Sequence, residues 1–110
     1  MRIRGDVRDR VHVFHLDGAL TTVAVPFLKA EVRAAMEIGA KDIVLDLSGA
    51  DFVDSAGLGA FVALHKATLE VNGRLRLRSP RSNIRALLEL TRLHRVLDIV
   101  GAASGRAAMP

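Results

Sequence analysis

Serine, histidine and aspartate all occur in this chain, so hydrolysis and group transfer are the first chemistries to weigh. The hydroxyl in the most suggestive setting is Ser55, within Val53-Asp54-Ser55-Ala56-Gly57-Leu58-Gly59. A nucleophile elbow requires Gly-x-Ser-x-Gly at a strand-to-helix turn. Gly57 supplies the second glycine, but Val53 stands where the first belongs. No histidine follows in a loop with an evident acidic partner, and 110 residues are too few for that fold. The spacing Gly57-x-Gly59 also fails as a dinucleotide loop. Val62 occupies the third glycine position, and the pattern falls inside a helix rather than ahead of it. The histidines are 12, 15, 65 and 94. His12 and His15 are three apart on a strand and point to opposite faces. His65 lies on an apolar helical stripe, and no carboxylates cluster with any of them, so a metal site is not expected. Absence of cysteine excludes disulfides, zinc-thiolate sites and thiol nucleophiles. No cofactor is implied.

Ser55 itself stays notable. It stands where a helix N-cap belongs, and its hydroxyl can accept from amides of the first turn. Gly57 and Gly59 both fall in the opening turns of the same helix. Each glycine costs about 0.8–1 kcal/mol against alanine in a helix interior. Close approach of a partner or of a neighbouring loop would reward the bare backbone. An accessible serine beside Asp54 at a helix N-terminus is also a place that welcomes phosphate.

The elements that must position this segment follow from periodicity. Ile3 and Val7 suggest a short first strand, and Val11-His12-Val13-Phe14-His15-Leu16 reads as a second, ending in the turn Asp17-Gly18. Pro26 opens a helix whose stripe is Phe27, Leu28, Val32, Ala35 and Met36, closed by Gly39. Ile43-Val44-Leu45-Asp46-Leu47 is a buried strand, and Ser48-Gly49-Ala50-Asp51 a loop. From Ser55 to about Val71 the stripe Leu58, Phe61, Val62, His65, Leu69 predicts a helix ended by Asn72-Gly73. Arg74-Leu75-Arg76-Leu77-Arg78 alternates as a strand with one wet face. Ile84, Leu87, Leu88 and Leu90 mark a third helix, and Val96–Val100 a last strand or helix. Strands alternating with helices argue for an α/β fold with a partly parallel sheet. One domain over 1–100 and a flexible tail over 101–110 are expected.

Composition is that of a globular domain, 50% hydrophobic and 25% charged. No apolar run approaches the ~18 residues of a membrane span, and the charged start lacks a signal-peptide core. A cytoplasmic protein is expected. The net charge of +4 is unevenly placed, because 74–95 holds seven arginines against the single acid Glu89. Such a segment could meet nucleic acid. Without tryptophan or tyrosine to stack bases, a solvated basic face is the better reading.

With these residues in view, the chain resembles the STAS domain, and most closely the bacterial anti-sigma factor antagonists. Ile43–Leu47 followed by Phe52-Val53-Asp54-Ser55-Ala56-Gly57-Leu58-Gly59 is similar to that family's phosphorylation-site motif. Gly18-Ala19-Leu20-Thr21 resembles its Gly-Glu-Leu-Asp turn, with Thr21 in place of aspartate, and Leu87–Leu93 resembles its third helix and following turn. The likeness spans roughly Ile3 to Val100. It implies a mixed, mostly parallel sheet of four to five strands flanked by three to four helices. It implies a switch rather than an enzyme: the antagonist binds an anti-sigma factor that is a serine kinase, is phosphorylated at Ser55, and is reset by a phosphatase. The partner-binding residues carried over are Thr21, Asp54, Ser55, Ala56, Gly57, Leu58 and Gly59. The resemblance also leaves open a non-switching subunit of a transporter or lipid-transport ABC complex. No direct nucleic-acid or membrane contact is expected, and the chain should be a monomer or weak dimer.

Overall fold

A computed structural model describes residues 1–101. The chain runs β1 (Arg2–Arg8), β2 (Val11–Leu20), α1 (Val25–Glu37), β3 (Asp42–Val53), α2 (Ser55–Glu70), β4 (Arg74–Arg78), α3 (Ser82–Leu90), a short 3-10 turn (Leu93–Arg95) and β5 (Asp98–Val100). The five strands form one sheet in the order β1-β2-β3-β4-β5. β1 is antiparallel to β2, and every later neighbour pair is parallel. This is the mixed, mostly parallel sheet with three helices that the resemblance implies. Apart from Gly101, the expected tail lies outside the described residues.

The sheet has two unlike faces. Register places Phe14 beside Leu45, and Leu45 beside Leu77. These leucines join Leu28 and Val32 of α1, Phe61 and Leu64 of α2, and Ile84 and Leu88 of α3 in one buried cluster. All three helices therefore bury their apolar stripes on the same side of the sheet. The opposite side carries Val13 and Val44, each 5% exposed and outside that cluster. Around them stands a ladder of charge: Arg76 on Asp42 at 3.0 Å, Arg78 on Asp46 at 3.1 Å, and His15 Nδ1 against Asp46 at 2.9 Å.

Four expectations need correction. Ser48–Asp51 is not a loop but part of β3, which pairs with β2 through two register shifts. Gly49 signalled a turn, yet it lies within β3, where a Cβ would displace the exposed Asp17 side chain of β2 and come within 3.1 Å of the Leu16 carbonyl oxygen. In α2 the buried residues are Gly57, Ala60, Phe61, Leu64 and Thr68, whereas Leu69 of the expected stripe is 54% exposed. Both readings have helical spacing, and α2 is apolar on most sides, so periodicity alone could not choose between them. In α1, Phe27 is 67% exposed, and in α3 Leu90 is 82% exposed. Val96–Val100, open between a strand and a helix, holds the short strand β5, in keeping with the first of those readings.

Candidate functional site

The site is built where β3 ends and α2 begins. Asp54 takes an extended conformation, φ −95° and ψ −175°, and is the N-cap of α2. Its Oδ1 accepts from the Gly57 amide at 2.9 Å. Ser55 is therefore the first helical residue and not the cap that its type suggested. Both residues favour caps; the aspartate reaches the orphan amide, which leaves the serine free of that duty. Ser55 is exposed, and its hydroxyl has no hydrogen-bond partner among the described residues.

The second oxygen of Asp54 reaches another element. Oδ2 accepts from the Thr22 amide at 3.0 Å, with a longer contact of 3.4 Å from the Thr22 hydroxyl. The Asp54 amide donates to the Leu20 carbonyl at 3.2 Å. One carboxylate thus fastens the β2–α1 connection to the start of α2. The Gly57 amide does most to hold this carboxyl below the usual range; desolvation opposes it, and the Thr22 donors add to the lowering. Asp54 is ionised at neutral pH beside the Ser55 hydroxyl.

Thr21, singled out from the turn motif, has another part. Its carbonyl accepts from the amides of Ala24 and Val25 at 2.9 and 3.0 Å, which shapes the entry into α1. The hydroxyl residue joined to Asp54 is its neighbour Thr22, which sequence reasoning missed. Two adjacent threonines offered no means of choosing between them.

The two glycines of the motif separate. Gly57 is buried, and a Cβ there would lie 2.7 Å from Val53 Cγ1 and 2.8 Å from the Leu20 carbonyl oxygen. Its bare backbone is required by the seating of α2 on the ends of β2 and β3. Gly59 is exposed, and a Cβ there would meet nothing within 4 Å. Nothing inside the described fold accounts for that glycine. Ala56 and Leu58 are half-buried, and Leu58 packs against the core cluster.

Apolar side chains left in solvent belong to the same connections. Phe52, two residues before Asp54, is 51% exposed. Val23 is 78% exposed and, with Thr21 and Phe27, lines a shallow depression. The periodicity that put Phe27 in the core concealed this surface.

The basic segment is largely consumed within the molecule. Arg74, Arg76 and Arg78 pair with Asp98, Asp42 and Asp46. Arg81 donates to the Ser48 carbonyl at 2.8 Å, and Arg85 lies 3.8 Å from Glu89. Burial tends to raise the Asp46 carboxyl, but donors from Ser48, Arg78 and His15 outweigh it and lower it to about 2.

Comparison with known proteins places this geometry. A family model described as the STAS domain matches residues 2–103. BtrV of Bordetella bronchiseptica, a candidate anti-sigma factor antagonist, is 26% identical over 108 residues, covering 98% of this chain and 93% of BtrV. The anti-sigma-B factor antagonist of Staphylococcus aureus is 26% identical over 99 residues, covering 90% of this chain and 92% of that one. The crystal structure of a candidate anti-sigma factor antagonist from Thermotoga maritima superposes with a TM-score of 0.85 at 25% identity, covering 96% and 90% of the two chains. The family match covers nearly the whole chain and the fold is that of the similar structure: this protein belongs to the STAS domain family.

Proposed function

We propose that the chain is an anti-sigma factor antagonist that binds an anti-sigma factor with serine kinase activity and is switched off by phosphorylation of Ser55. The observation that carries this reading is the exposed Ser55 hydroxyl at the first position of α2, which has no partner among the described residues because Asp54 does the capping. The relatives named as antagonists support the role. The docking surface comprises Thr21, Asp54, Ser55, Ala56, Leu58 and Gly59, with buried Gly57 acting by seating the helix.

In the transfer step the Ser55 oxygen attacks the γ-phosphorus of ATP held by the kinase. The bond to ADP breaks, and the hydroxyl proton passes to a base on the kinase. The product carries about −1.5 to −2 added charges at neutral pH. The amide dipoles of α2 favour that charge, but the ionised Asp54 repels it, and a closed interface must desolvate it. A penalty of about 3 kcal/mol weakens binding more than a hundredfold. The complex then separates, and a phosphatase restores the hydroxyl.

Phosphopeptide mapping tests this directly. Incubated with ATP and lysate of the source cells, the chain should gain phosphate at Ser55, and Ser55→Ala should gain none there. Phosphate found only at other residues would overturn the assignment.

A further inference from the structure

We propose that β1 is a self-association edge, where two copies of this chain pair their first strands antiparallel about a two-fold axis at Gly5. The inference is independent of the Ser55 switch and rests on the chemistry of one strand.

β1 is an outer strand of the sheet and, with seven residues, much the longer of the two edges, since β5 has three. It joins β2 through Asp9 and Arg10, both at positive φ (49° and 71°). In a two-residue hairpin turn of this kind the flanking residues Arg8 and Val11 bond to each other. Backbone groups alternate along a strand. Those of Arg2, Arg4, Asp6 and Arg8 therefore face β2, and those of Ile3, Gly5 and Val7 face the open edge. A long edge with free amides and carbonyls pairs with another strand unless something prevents it.

A two-fold contact must be self-complementary, each residue meeting its counterpart on the other copy. The strand reads Arg2-Ile3-Arg4-Gly5-Asp6-Val7-Arg8. Antiparallel pairing centred on Gly5 sets Ile3 against Val7 of the second copy and Arg4 against Asp6 of the second copy, each twice over. Centring on Arg4 would oppose arginine to arginine at the axis, and centring on Asp6 would oppose aspartate to aspartate. The Gly5 register alone matches apolar to apolar and base to acid while using all seven residues. It also pairs the edge-facing residues 3, 5 and 7 with one another, as the hydrogen bonds require. Arg4 and Asp6 then fall at the non-hydrogen-bonded sites, where opposed side chains stand closest.

The isolated chain carries the marks of an uncovered interface. Val7 is 58% exposed. Gly5, Val7, Phe14 and Ile38 line a groove between β1 and α1, and Ile38 is 82% exposed. Arg4 has no ion-pair partner among the described residues, whereas Asp6 is held by Arg8 at 3.0 Å. In the dimer, Ile3 of the second copy covers Val7, and its Arg4 supplies the second cation on Asp6. Arg2 opposite Arg8 of the second copy is a like-charge pair, which keeps the association weak.

Sedimentation equilibrium on the full chain tests this, using the wild type, Gly5→Pro, Arg4→Asp, Asp6→Arg and the double exchange Arg4→Asp/Asp6→Arg. Proline at residue 5 removes only an edge-facing amide, and a Cβ there meets Phe14 at an ordinary 3.6 Å. The wild type should dimerise at submillimolar concentration. Gly5→Pro should be monomeric, and each single charge reversal should weaken the dimer by about tenfold or more. The double exchange, which has the same composition, should restore it. A chain that stays monomeric at millimolar concentration overturns the proposal. So does a dimer indifferent to Gly5→Pro, or a double exchange no tighter than its single reversals.

Discussion

The Asp54 carboxylate does two things at once, and both bear on Ser55. One oxygen caps α2 through the Gly57 amide, and the other holds Thr22. Asp54→Ala should therefore lower the thermal midpoint by several degrees and increase amide exchange at both Thr22 and Gly57. Asp54→Asn, which keeps an acceptor, should recover part of the loss. Protection retained at Thr22 in the alanine variant would contradict the bridging role. Asp46 makes a different prediction. Its carboxyl is lowered to about 2 from an unfolded value near 3.8, so the native state holds its proton less tightly. Stability from this group is complete above pH ~4 and drains away as pH falls toward 2. Asp46→Asn should cost about 2 kcal/mol at neutral pH, measured by urea denaturation, and the gap should narrow steadily below pH 4. A gap of constant size across that range would mean that the ion pairs contribute nothing. At this scale the sequence pointed to Ser55 and its acidic neighbour, but two adjacent cap-forming residues hid which one caps. Thr22 carried no signal, because its importance lies in a contact across 32 positions of chain.

Within α2, the two motif glycines should respond in opposite directions. Gly57→Ala drives a methyl into Val53 and the Leu20 carbonyl, and overpacking of this kind costs about 1–3 kcal/mol. Gly59→Ala enters open space on a helix and should stabilise the fold by about 0.5–1 kcal/mol. If a partner approaches at Gly59, the same alanine should weaken that partner's binding while raising the thermal midpoint, a split that a purely structural glycine would not give. The helices were legible because Pro26, Gly39 and Asn72-Gly73 punctuate them. Their faces were less so: Phe27 and Leu69 sit at helical spacing beside the buried residues, and only tertiary packing decides which side of an apolar helix turns inward. β3 was cut short for a comparable reason. Gly49 looks like a turn residue but lies within the strand, packed beside Asp17 and the Leu16 carbonyl of β2.

The described residues form a sheet with an apolar side under three helices and a charged side that none of those helices covers. The parallel order was legible because strands and helices alternate along the chain. The STAS resemblance, carried by Asp54–Gly59, extended that to a specific fold. The fate of the arginines was not legible. Composition shows seven of them between residues 74 and 95; only the parallel register brings Asp42, Asp46 and Asp98 against three of them. With those charges paired, binding to duplex DNA should be weak and vanish at moderate salt, as a filter-binding titration would register. Tight, salt-resistant binding would reopen the nucleic-acid reading.

Switching depends most directly on the behaviour of Ser55 in a complex. Ser55→Ala and Ser55→Asp, used as baits in lysate of the source cells with and without ATP and read by mass spectrometry, measure it. The switch predicts a kinase-type anti-sigma factor captured by the alanine form whether or not ATP is added, and lost from the aspartate form. Equal capture of the same partners by both forms, transporter subunits among them, would contradict it and leave Ser55 without a switching role.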